Sequence, residues 1–324
     1  MRVIAATGNE EIAKVYIVDL GDGQLVECVE SLQPPLARLE KWVLLVSTMF
    51  GCPVGCKMCD AGGFFHGKPS AAQILDQVDF LVRQRFPDGH VPSRQFKIQF
   101  SRMGEPSLNP AVLDVLEALP QQYQAPGLMP SLSTVAPAGT GPFFDRLLDI
   151  KQRLYSGGHF QFQFSLHTTD LAHRDLLIPV KKWSFAEMAA YGQRFHAPGD
   201  RKITLNFALA DEMPLDPAVL LQHFDPDLFL VKITPLNPTY RAAQHRLVSY
   251  LDPNQPDENP DPFASQYPLI RQLASAGYQV IVSIGETEEN LIGSNCGQYL
   301  RTHLSASQPI QDGYTYQVQE CGVA

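Results

Sequence analysis

Apolar and polar positions change period along this chain. Near the amino terminus, Ala13 to Leu20 and Gln24 to Glu30 read as β-rich runs joined by the turn Gly21-Asp-Gly23, a small hairpin within residues 12 to 31. Beyond a proline-containing linker, short β-rich runs alternate with helix-like stretches. The runs are Trp42 to Ser47, Phe96 to Phe100, Ser131 to Val135, Phe160 to Leu166, Ile203 to Leu209, Leu228 to Ile233 and Tyr278 to Ile284. Between them, amphipathic spacing predicts helices over Ala71 to Arg85 with Ser70 as N-cap, Ala111 to Ala118, Phe144 to Leu154, Ser184 to Phe195, and Gln266 to Ala276. Alternation at this spacing predicts an α/β fold, a partial (β/α)6-type parallel TIM-like barrel preceded by the hairpin. The division expected is a small β region over 1 to 40, the barrel over 41 to 300, and an extension over 301 to 324. Asp252 to Pro262, rich in Pro, Asp and Asn, reads as an exposed loop.

Composition narrows the class. The 324 residues can bury a large core, and the six cysteines are not arranged as a disulfide framework. Met1-Arg-Val-Ile-Ala-Ala is followed by Asn9-Glu10-Glu11, too short and too acidic a start for a signal peptide, and no apolar run reaches membrane-spanning length. A soluble, cytoplasmic protein is expected. A net charge of -9 argues against a broadly basic, nucleic-acid-coating surface, so any polyanion must be recognised locally.

The densest chemistry lies in Gly51-Cys-Pro-Val-Gly-Cys-Lys-Met-Cys-Asp60. Cys52, Cys56 and Cys59 stand at C-x3-C-x2-C spacing on one loop, and three soft thiolates can hold three irons of a 4Fe-4S cluster. The fourth iron then stays open to a substrate or cosubstrate. Structural zinc and unrelated buried thiols are the alternatives, although zinc usually needs a second ligand pair and none is spaced for it.

In parallel barrels the chemistry sits beyond the carboxyl ends of the strands. Here the first run leads into the cysteine loop and the second into Ser101-Arg-Met-Gly-Glu-Pro106. The third leads into Ser133-Thr134, the fourth into Ser165-Leu-His167 and the sixth into Thr234-Pro-Leu-Asn237-Pro. Each has an ordinary explanation alone, as turn, cap, core histidine or loop start. Together on one rim they make a site.

The ordered set resembles the RlmN/Cfr family of radical S-adenosylmethionine (SAM) enzymes, which methylate adenosine carbons in RNA. The resemblance rests on the cysteine loop, Met103-Gly-Glu-Pro106, Leu132-Ser-Thr-Val135, Phe164-Ser-Leu-His-Thr-Thr169 with Arg174 and Ile178-Pro179, Pro235-Leu-Asn-Pro238 and Cys296-Gly-Gln298. It implies a radical SAM core in which Cys52, Cys56 and Cys59 bind the cluster. Gly104 and Glu105 would hold the SAM amino group, and Ser133, Ser165, Leu166, His167 and Asn237 would line the rest. It implies a 5'-deoxyadenosyl radical as reagent and an electron donor such as flavodoxin or ferredoxin. Cys296 matches the cysteine that the family methylates first and then uses as the methyl carrier, and Glu27 the family's proton-accepting carboxylate. Inert core packing for Cys296 and a solvated strand position for Glu27 are the plain alternatives.

Three departures bear on the substrate. Leu45 stands seven residues before Cys52, where the family has the cysteine that resolves the covalent protein-RNA adduct, so Cys28 or Cys321 substitutes, release differs, or no adduct forms. The hairpin begins so near Met1 that the family's N-terminal RNA-binding helical domain is expected to be missing. The overall charge is acidic, and Lys181-Lys182, Arg201-Lys202, Arg241 and Arg246 read by default as solvated surface. The expected function is therefore a radical SAM methyltransferase on an RNA or nucleotide base, with a radical SAM enzyme for a small metabolite as the second reading. A cluster-containing sensor without turnover is a third.

Overall fold

The computed structural model describes residues 1–251 and 268–321, so the loop expected at Asp252 to Pro262 lies outside the described residues. Eleven strands form one sheet: β1 (Arg2–Gly8), β2 (Ala13–Asp19), β3 (Leu25–Ser31), β4 (Lys41–Val46), β5 (Gln95–Phe100), β6 (Leu128–Thr134), β7 (Gln161–Ser165), β8 (Ile203–Ala208), β9 (Phe229–Thr234), β10 (Val280–Val282) and β11 (Gln319–Glu320). From β4 to β10 every neighbouring pair is parallel and follows chain order. That is the expected partial barrel, and among the described residues its strand order is open.

Helices cross between consecutive strands, and their ends follow from local chemistry. Ser70 and Ser184 each cap a helix in a reciprocal capping box, with Gln73 and Glu187 respectively, so Ala71–Arg85 and Phe185–Phe195 begin where the sequence predicts. The helix expected from Gln266 is described from Pro268 to Ser275.

Period-two alternation along the parallel strands decides what each face does. Trp42, Leu44 and Val46 of β4, Phe96, Ile98 and Phe100 of β5, Phe162 and Phe164 of β7, and Phe229, Val231 and Ile233 of β9 belong to the main core. The alternate residues face a central cavity instead. On this scaffold β4 to β9 each deliver side chains to one chamber.

The hairpin is larger than its sequence pattern suggests. β2 and β3 pair as expected, but β1 adds to β2 and β11 to β1, giving an antiparallel wing. It is not a separate layer, because Val29 of β3 pairs with Leu45 of β4 and the ladder is continuous. Ile292, Leu300 and Tyr314 from the carboxyl-terminal part pack with Ala5, Ile12, Val15, Ile17 and Val29. Among the described residues no helix is long and apolar enough to cross a membrane.

Candidate active site

Cys52, Cys56, Cys59, Gly104, Glu105, Ser133, Ser165, His167, Asn237 and Cys296 all line the central cavity, whose volume is about 320 Å³. Of the twelve site residues read from the sequence, only Glu27 and the Leu166 side chain do not. Leu166 is fully buried in the main core.

The cysteine loop is clamped by one short segment, Thr239 to Arg241. Arg241 donates from Nε to the Cys56 carbonyl and from Nη2 to the Gly55 carbonyl, each at 3.0 Å. Thr239 donates to the Met58 carbonyl at 3.1 Å, and the Asp60 carboxylate accepts the backbone N–H groups of Tyr240 and Arg241. Burial pushes the Cys52 thiol up to about 11, against the amides of Val54 and Gly55, which favour its thiolate. Three sulfurs on a pinned loop, with amides directed at one of them, fit a 4Fe-4S cluster. Among the described residues no three His, Cys, Asp or Glu side chains converge on a single-ion site, which a multi-iron cluster does not require.

Gly104 has no tolerable substitute. Its φ is +108°, and an added Cβ would lie 2.6 Å from the Met49 Cβ and 2.8 Å from the Thr48 hydroxyl. Beside it, Glu105 accepts from the Ser107 N–H and hydroxyl at 3.0 and 2.7 Å, from the Thr134 hydroxyl at 2.6 Å, and from the Val135 N–H at 2.9 Å. Burial still raises its carboxyl above the ordinary range. Three of these bonds fall on Oε1 and one on Oε2, so Oε2 keeps a lone pair for an incoming ammonium.

His167 has a φ of +66°, uncommon for a side chain with a Cβ, and its Nδ1 accepts the Ala208 N–H at 3.1 Å. The neutral ring therefore carries its proton on Nε2. Burial, helped by the Arg174 charge, lowers its pKa from 6.5 to about 4. Below pH 6.5 the unfolded chain takes up a proton that the folded chain refuses until about pH 4, so folding stability should fall as pH drops through that window. The loss is on the order of 3 kcal/mol. Urea unfolding of wild type and His167→Gln over the same pH range should show that component vanish in the variant.

Cys296 sits on a strap that is unusually well tied. Arg102 donates from Nη2 to the Gly293 carbonyl at 2.9 Å and from Nη1 to the Ser294 and Asn295 carbonyls at 3.1 and 3.0 Å. Asn237 donates to the Cys296 carbonyl at 2.9 Å, and the Asp60 N–H to that of Gly297 at 2.9 Å. Five consecutive carbonyls are thereby satisfied, and the last two bonds tie the strap to the cofactor rim and the cysteine loop. The Cys296 side chain is exposed to the cavity, yet burial raises its thiol above the ordinary value.

Arg102 is the residue the sequence reading missed. It also donates to Glu27 Oε2 at 2.7 Å, and the other Glu27 oxygen accepts the Arg301 N–H at 2.9 Å. Both side chains of this ion pair are almost completely buried. Glu27 is thus neither a solvated strand residue nor a group facing the cavity. It anchors the arginine that holds the Cys296 strap. The one available signal was a charged residue two positions after a strand that alternates cleanly.

Leu45 lines the cavity, whereas Cys28 and Cys321 do not. Cys28 is fully buried in the main core, where burial raises its thiol far above the ordinary value, and Cys321 is exposed beside β11. Neither candidate for the missing resolving thiol is brought to Cys296.

No family model matches the chain. Among curated relatives, a probable dual-specificity RNA methyltransferase RlmN of Desulfitobacterium hafniense is 28% identical over 317 residues, covering 95% of this chain and 81% of the relative. The chain resembles the RlmN methyltransferases. A second relative so named, from Acidothermus cellulolyticus, is 26% identical and covers 90% of this chain and 70% of its own length. The RlmN likeness thus spans nearly the whole chain. In fold, a radical SAM methyltransferase from Sphaerobacter thermophilus superimposes with a TM-score of 0.65 at 19% identity, over 92% of this chain and 80% of the other.

Proposed function

We propose that the chain is a radical SAM methyltransferase in which Cys52, Cys56 and Cys59 hold a 4Fe-4S cluster and Cys296 carries the methyl group to carbon. The carrying observation is that Cys296 lines the same cavity as the cluster cysteines and the candidate SAM residues, on a strap tied to both. When bound, a reduced cluster supplies the electron that cleaves SAM to a 5'-deoxyadenosyl radical.

The chain's own residues then have separable tasks. Glu105 accepts from the SAM ammonium, while Ser133, Ser165, Asn237 and the His167 Nε2–H offer neutral hydrogen bonds to the remainder, as a zwitterion and a ribose require. Val54, Met58, Ala61, Val135 and Tyr299 line the chamber and keep water from a reactive carbon centre. Cys296, within a fixed strap, offers its methyl group at one position rather than over a volume. The acceptor is an electron-poor carbon such as that of a nucleobase, and the electron comes from a low-potential donor of the flavodoxin or ferredoxin type.

One observation sets product release apart from that of the RlmN relatives, whatever the substrate. With Leu45 in place of the resolving cysteine, and Cys28 and Cys321 away from the cavity, release of a Cys296-bound adduct by disulfide formation needs a thiol from outside the chain. Anaerobic incubation of the cluster-reconstituted, reduced protein with SAM should yield 5'-deoxyadenosine, and Cys56→Ala should yield none. Absence of 5'-deoxyadenosine from wild type under several reductants would leave the sensor reading in its place.

A further inference from the structure

A barrel of parallel strands is ordinarily filled by branched apolar side chains. This one has a polar interior. Lys97 and Gln99 of β5, Ser131 of β6, Gln161 and Gln163 of β7, Asn206 of β8 and Lys232 of β9 all line the cavity. They do not share one depth: Gln163 and Asn206 pair in register with the candidate SAM residues Ser133 and Ser165, and Gln163 donates to the Ser133 hydroxyl at 3.1 Å, whereas Lys97 is four residues before Ser101, roughly 13 Å down the strand. Among the described residues neither Lys97 nor Lys232 makes a hydrogen bond to the cofactor rim.

Two of these side chains are amines that form no ion pair. Among the described residues neither the Lys97 nor the Lys232 ammonium makes an ion pair. Lys41 at the start of β4 and Arg201 ahead of β8 add positive charge to the same region; Glu289, which also lines the cavity, is near enough to favour the charge on Lys232 but forms no ion pair with it, and it does not act on Lys97. Burial, then Lys232, Lys41 and Arg201, hold Lys97 down at about 7. In a chain of net charge -9, this is a local excess of positive charge at depth. Unpaired ammonium groups in a protein interior are costly, and the missing term is an anion.

We infer that the methyl acceptor is a small molecule carrying an anionic group, a phosphate monoester or a carboxylate, that seats between Lys97 and Lys232 in this polar chamber. This rests on the cavity being the reaction chamber proposed above and adds the class of substrate. Gln99, Gln161, Gln163, Ser131 and Asn206 supply donors and acceptors for the body of that molecule. A polynucleotide continues on both sides of its target base and would have to thread the barrel to put a phosphate on both lysines. A small molecule ends in its anion.

Competitive acylation of lysines by acetic anhydride, read by peptide mass spectrometry, tests this on the full cluster-reconstituted chain at constant ionic strength. The probes are inorganic phosphate, succinate and a short single-stranded RNA. One of the two small anions should protect Lys97 and Lys232 together, by about tenfold near ten times its Kd, and leave the exposed Lys181 unchanged. Which anion does so separates phosphate from carboxylate. In Lys97→Met the protection of Lys232 should be lost. Equal labelling with every small anion, or protection by the RNA alone, would overturn the inference. SAM cleavage in the same preparation reports separately on the radical chemistry, so the two can fail independently.

Discussion

Replacing Cys296 by alanine should lower methyl transfer at least about a thousandfold while SAM is still cleaved to 5'-deoxyadenosine. The separation follows from how the strap is held. Its five tethers all end on backbone carbonyls, from Gly293 to Gly297, and none on the Cys296 sulfur. Removing the thiol therefore leaves the strap, the cysteine loop and the Asn237 side chain in place. Product methylation falls because no atom remains to carry the methyl group, and Cys296→Ser should fail equally despite its similar size. Parallel loss of 5'-deoxyadenosine in both variants would mean that Cys296 supports the cofactor site rather than the transfer.

Replacing Arg102 by methionine should cost about 3–5 kcal/mol of folding stability, because it strands the Glu27 carboxylate in an apolar interior and frees three carbonyls at once. That is a large share of the roughly 5–15 kcal/mol that holds a domain together. Urea unfolding of the single variant and of the pair Glu27→Leu, Arg102→Met separates two effects. The double variant should recover much of the stability, since a buried ion pair exchanged for apolar groups is close to neutral. It should not recover a positioned Cys296. The rate of alkylation of that thiol should be raised in the double variant relative to wild type, and an unchanged rate would assign Arg102 to folding alone.

Much of this architecture was legible in the chain, for identifiable reasons. Most parallel strands of the barrel announce themselves by β-branched and aromatic runs, and Ser70 and Ser184 announce their helices by capping chemistry; β6, Leu-Met-Pro-Ser-Leu-Ser-Thr, does not, and its first three residues were not read. β1 and β11 were not read, because Arg2–Gly8 lacks a clean alternation and the two-residue β11 exists only through its pairing with β1. The site divides in the same way. Cys52, Cys56 and Cys59 carry their meaning in their spacing, whereas Arg102 and Glu27 are far apart in sequence and acquire theirs only when β3 and the end of β5 meet. Lys97 and Lys232 looked like ordinary strand residues, since which face of a strand turns inward is settled by the curvature of the whole sheet. Cys28, adjacent to Glu27 in sequence, is sent into the opposite core by the same alternation.

The most direct measurement is the mass of the Cys296 peptide after the reduced, cluster-loaded protein has been exposed to SAM carrying an isotopically labelled methyl group. A methyl-carrier enzyme should give that peptide heavier by one labelled methyl group, with Cys28 and Cys321 unmodified. An unlabelled Cys296 in protein that nonetheless produces 5'-deoxyadenosine would contradict the account.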